Sequence, residues 1–181
     1  MDFEATSPRK VIKPMRRIGN LVIAVVILII VNFAIYQKEQ LLAQGTTLLL
    51  ELAPRDPRSL IQGDYMVLRY KIANEPELWN VDKDGLLVVA RDDKHLAQFK
   101  RIYNQTVPLQ KNELLLRFRK RQHGIRLGAE SFFFQEGHAQ YYEKARYGEL
   151  KVAKSGESIL VGLRDDKFQP LSAPPSDLTE E

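Results

Sequence analysis

The sequence predicts a mainly β fold, an antiparallel sheet or small barrel with one short helix, set behind an N-terminal transmembrane helix. Three observations carry that expectation. An uncharged apolar run stands near the N-terminus, the hydrophobic pattern beyond Gly45 changes to a period of two, and turn-forming residues recur between short apolar stretches. A chain of 181 residues has room for one domain of ordinary size and a short appendage. It has no cysteine, which excludes disulfides, zinc–cysteine centres and cysteine nucleophiles.

The apolar run "IGNLVIAVVILIIVNFAI" (Ile18 to Ile35) is 18 residues without a charge. As a helix it spans about 27 Å, enough for a bilayer core. Tyr36 follows where an interfacial aromatic would sit, so the anchor is assigned to Ile18 through Tyr36. Arg9, Lys10, Lys13, Arg16 and Arg17 all precede it, which predicts a cytoplasmic basic tail over residues 1–17 and an exported C-terminal side. A cleaved signal peptide competes with this reading, because the uninterrupted core, Leu21 to Val31, is only 11 residues. No A-x-A pattern follows it, and cleavage after Ala34 or Ala43 would put Asn32 or Leu41 at the small-residue position. An uncleaved signal-anchor is therefore expected. A soluble core helix does not fit, since the segment is apolar on every face. Asn20 and Asn32 near its ends have the chemistry to hydrogen-bond across a helix pair. "QKEQLLAQG", residues 37–45, reads as a polar stalk continuing the helix.

Residues 46–171 read as the exported β-rich domain. Strands are expected at Thr46–Leu52, Asp64–Ile72, Leu86–Arg91, Leu96–Ile102, Glu113–Lys120, Ile125–Gly128, Ser131–Phe134, Glu149–Lys154 and Ile159–Arg164. In the second, Met66, Leu68, Tyr70 and Ile72 share one face, and Tyr65, Val67, Arg69 and Lys71 the other. "DKDG", "QHG", "QEG" and "KSGES" supply turns, and Gln105 to Lys111 reads as a loop. His138–Gly148 is the one stretch that looks helical, closed by Gly148. Residues 172–181, Pro-rich and acidic, are expected to be a disordered tail.

Charge is not spread evenly. Residues 1–36 hold five basic against two acidic side chains, or +3, which leaves 22 against 21, or +1, for the rest. The body lacks the concentrated basic face that nucleic acid requires.

"PRDPRSLIQGDYMVLRY" is a proline-punctuated approach to a turn. Gly63 can take a positive φ and Asp64 can bond nearby backbone N–H groups, so the residues themselves favour a structural turn over a catalytic one. The stretch is similar to the substrate-binding turn of signal peptidases, S-M-x-P-T-L-x-x-G-D, but the nucleophile position, eight before Gly63, is Arg55. Gly63, Asp64, Tyr65, Leu68 and Tyr70 match in full the G-D-Y-x-x-L-x-Y signature, and here the chain resembles the GDYXXLXY family of bacterial membrane-anchored proteins. A second motif also resembles that family: Gly128, Glu130, Phe133, Glu136, Gly137 and the "ARYGEL" run. Arg55, Asp56 and Pro57 resemble its lead-in, and "SFFF" departs from a more usual Tyr-Phe pair. The resemblance implies an inner-membrane helix, a periplasmic or otherwise extracytoplasmic domain and, commonly, a neighbouring gene for a multi-pass membrane protein. It implies no reaction.

Possible chemistry is thin. Glu130, Glu136 and Glu143 with Asp64 supply carboxylates, and an Asp64–Glu136 acid–base pair in an envelope hydrolase is the alternative to a non-catalytic role. Turn caps paired with Arg55, Arg58 or Arg146 are the plainer account. His95, His123 and His138 lack metal-ligand spacing, and no phosphate loop or nucleophile elbow occurs, so no metal or cofactor is expected. "SFFF" has aromatic side chains on both faces, buried by its own domain or with one face meeting a partner. A groove of Tyr and Phe would instead suit an envelope glycan or lipid. The expected function is an accessory subunit of a multi-pass membrane protein, anchored in the bilayer, docking through Gly63, Asp64, Tyr65, Leu68, Arg69 and Tyr70, with the second motif behind them.

Overall fold

A computed structural model describes residues 12–53, 61–62, 65–122, 124–128 and 130–173. The chain divides into two units, Met1–Gln40 and Leu41–Glu181. The first holds most of helix α1 (Ile12–Gln44). From Ile18 onward this helix is long and apolar enough to cross a membrane, and its apolar side chains from Ile18 to Tyr36 are exposed all round. Such a surface is stable only in lipid or against a partner, which fits membrane anchoring. Asn32 donates its side-chain amide to the Leu28 carbonyl at 2.8 Å, so that donor is satisfied one turn back within the same helix.

Why the helix stops is visible at Gly45. Its N–H closes the last turn on the Leu41 carbonyl at 2.9 Å, and a Cβ there would stand 2.3 Å from that oxygen. Only glycine lets the chain leave the helix and enter a strand within one residue.

The second unit is mostly β and antiparallel. Its strands are β1 (Thr46–Glu51), β2 (Ile61–Gln62), β3 (Tyr65–Val67), β4 (Gly85–Arg91), β5 (Ala97–Ile102), β6 (Glu113–Arg121), β7 (Gly124–Arg126), β8 (Ser131–Phe133), β9 (Tyr147–Val152), β10 (Ser158–Arg164) and β11 (Pro170–Leu171). They form three sheets, ordered β1-β9-β10-β11, β2-β3-β8 and β5-β4-β6-β7. Bridges at Leu49–Leu96 and Leu52–Tyr70 join β1 to the other two. The inner faces share one core, with Leu48, Leu50, Leu68, Leu87, Leu116, Phe118 and Leu150 at most 1% exposed. Burial of each such side chain contributes about 1.5–3 kcal/mol.

Strand β4 is buried on both faces. Leu87 and Val89 belong to the core, while Val88 and Ala90 are covered from outside. Arg101 stands opposite Val88 and Glu113 opposite Ala90, and the two side chains join across β4 through bonds of 2.7 and 3.0 Å. The pair also gathers in the intervening loop: Glu113 accepts the Gln110 N–H at 3.0 Å and Arg101 donates to the Pro108 carbonyl at 3.3 Å. Arg101, then the Gln110 N–H, hold the Glu113 carboxyl below the usual carboxylate range.

The expected alternation in the second strand holds in burial but not in conformation. Met66, Leu68, Tyr70 and Ile72 are all buried, and Arg69 and Lys71 are exposed. Regular pairing stops at Val67, however, and a 3-10 turn begins at Lys71 with the Ala73 N–H on the Tyr70 carbonyl. A second 3-10 turn, Pro76–Leu78, follows it. The helix expected over His138–Gly148 shrinks to α2 (Ala139–Tyr142), and Gly148 lies inside β9 instead of closing a helix. Six register pairs to β1 and six to β10 claim Tyr147–Val152 for the sheet. Most of the tail expected over residues 172–181 lies outside the described residues.

Candidate functional site

The two motifs meet in space. Strand β3 carries the signature and β8 the second motif, paired as Tyr65 with Phe133, Met66 with Phe132 and Val67 with Ser131. One residue beyond the ladder, the Leu68 N–H donates to the Glu130 carbonyl at 2.7 Å. Alternation then sorts the side chains: Met66 and Leu68 enter the core, and Tyr65 and Val67 stay half-buried outside. Gly63 and Asp64 lie outside the described residues.

Two aromatic groups result. Phe132 and Phe134 point inward against Tyr142, with ring centroids 4.9 and 5.5 Å away. Phe133 points outward, 74% exposed, with its ring centroid 5.7 Å from that of Tyr65. Its strand is not buried on two sides. Arg69, exposed beyond β3, offers its carbonyl to the Ala53 N–H at 2.8 Å, and its guanidinium has no partner among the described residues. Leu68 and Tyr70, 1% and 2% exposed, are core residues and present no docking surface.

Of the carboxylates singled out in the sequence, Glu130 and Glu136 each sit in a turn of their own. Glu130 accepts the backbone N–H groups of Leu127 and Gly128, locking the turn in which Gly128 has φ +83°. Glu136 is exposed at the corner of a turn closed by the His138 N–H on the Gln135 carbonyl at 3.0 Å, with Gly137 at φ +79°. Both glycines of the second motif thus fill left-handed positions. Burial, with the Glu130 charge nearby, pushes the Tyr70 phenol well above its ordinary value. Among the described residues no group of three or more His, Asp or Glu could hold a metal.

Behind the signature lies a cavity of about 330 Å³, lined by residues of both motifs, including Leu68, Tyr70 and Glu130. Leu78, Trp79 and Lys120 also line it, and none of these was singled out in the sequence. The chain's single tryptophan, three residues after Pro76, was an available signal.

The model of the family described as GDYXXLXY protein matches residues 27–163 of the chain. No curated protein and no solved structure matches it significantly.

Proposed function

Since this chain belongs to the GDYXXLXY family, we propose that it is a single-pass protein of the bacterial inner membrane, an uncleaved signal-anchor with its N-terminus cytoplasmic. Its β domain then works outside the cytoplasm as a non-catalytic accessory subunit of a multi-pass membrane protein. The basic residues ahead of the anchor support the orientation. The observation that carries the docking role is Phe133, a large aromatic 74% exposed against Tyr65. Isolated solvent contact of that kind offers no stability to the domain, whereas aromatics of this type anchor interfaces. The binding of Glu130 to its own turn weighs against acid–base chemistry at this face.

The experiment is co-purification of the full chain, tagged at its C-terminus and extracted in mild detergent, with every co-eluting multi-pass membrane protein identified. A stoichiometric complex is expected, lost in Phe133→Ser and weakened in Tyr65→Ala, with circular dichroism unchanged. Wild type eluting alone, or Phe133→Ser binding as well as wild type, would overturn the docking role.

A further inference from the structure

The cavity behind the signature is lined by buried leucines and by cations without a side-chain partner among the described residues. Leu68, Leu78 and Leu127, each at most 3% exposed, line its buried part. Trp79, 68% exposed, lines the outer part, and among the described residues the Lys120 ammonium beside it bonds the Trp79 carbonyl alone, at 3.3 Å. Arg69 and Arg126 line it as well and carry no side-chain partner among the described residues. Glu130, the one lining carboxylate among the described residues, is already occupied by two backbone N–H groups.

We infer that this cavity binds a single-chain anionic amphiphile, its alkyl chain against the leucines and Trp79 and its phosphate or carboxylate head at Lys120. The volume, about 330 Å³, is that of a small ligand site, and its lining joins apolar side chains to polar and cationic ones. A neutral chain would leave the cations unmatched, whereas an anionic head forms charge-assisted hydrogen bonds there. Helix α1 supplies the lipid: an apolar span of this kind brings the chain to a bilayer, where such molecules occur. The inference rests on the anchored part of the proposed function and not on docking through Phe133.

Trp79 is the only tryptophan in the chain, so its fluorescence reports on this cavity alone. The full chain, in phosphatidylcholine nanodiscs, is titrated with a lysophosphatidic acid and with a monoacylglycerol of the same chain length. A saturable blue shift is expected, with affinity about tenfold higher for the phosphate head. Lys120→Gln should weaken the phosphate amphiphile more than the monoacylglycerol and so narrow that difference severalfold. Ala73→Leu, which fills the cavity wall, should abolish saturation for both, with circular dichroism showing that the domain still folds. A non-saturating shift, equal response to the two amphiphiles, or a wild-type response in both variants would overturn the inference. Each of these outcomes leaves co-purification through Phe133 unaffected.

Discussion

The ring of Tyr70, last residue of the signature, packs on Gly148 in the central strand β9: a Cβ there would stand 3.0 Å from Cε1 and 3.1 Å from the phenol oxygen. The neighbour would have to give by a few tenths of an ångström inside a packed core. Gly148→Ala should therefore destabilise the domain by about 1–3 kcal/mol, read as a lower thermal midpoint. Combining it with Tyr70→Leu should cost less than the two separate losses added together. Strict additivity would show that the two residues do not share this contact.

Tyr70 also predicts alkaline behaviour. Its phenol is held neutral in the fold, with a raised value, while the unfolded chain ionises near 10. The unfolded state then releases a proton that the folded state keeps, so the Tyr70 contribution to stability is constant below pH 10 and falls as pH rises above it. Denaturant midpoints measured across that range should decline less steeply in Tyr70→Phe. A slope identical to that of wild type would contradict the assignment.

At the acid end the sign is reversed. Arg101 and the Gln110 N–H lower the Glu113 carboxyl, so its contribution is complete above the ordinary carboxylate value and is lost as pH falls through the depressed one. Midpoints measured from neutral pH down should fall through that window, with a shallower acid limb in Glu113→Gln. The variant should also loosen the Pro108–Gln110 loop, seen as faster amide exchange there.

Glu130 is expected to behave as a structural carboxylate. Glu130→Ala leaves the Leu127 and Gly128 N–H groups without their acceptor and should cost about 1–3 kcal/mol of stability. Glu130→Gln, retaining one amide oxygen, should recover part of it. Thermal melts of the three proteins decide the matter.

Much of this was legible because one-dimensional patterns encode it. The period of two placed Met66, Leu68, Tyr70 and Ile72 in the core even where the backbone had left the sheet, since burial follows the facing side and not the ladder. Local pattern misjudged His138–Gly148, where an apolar spacing with helical character was overruled by the register of β9 between two long-range partners. The Arg101–Glu113 pair was invisible for a related reason. Those residues become neighbours only when β5 and β6 flank β4 in a particular register. The cavity needed the same knowledge, because Trp79 and Lys120 are 41 residues apart in the chain.

The register of β1 has a consequence for the order of events during synthesis. Thr46 pairs with Val152 and Glu51 with Tyr147, so the first strand made is hydrogen-bonded to one made about 100 residues later. Until that segment is available, Leu48, Leu49 and Leu50 have no ladder to join, and an apolar strand without a partner is open to wrong pairings. A chain arrested before Tyr147 should therefore be protease-sensitive throughout β1, and the domain should fold only after nearly all of it has been made, slowly for its size.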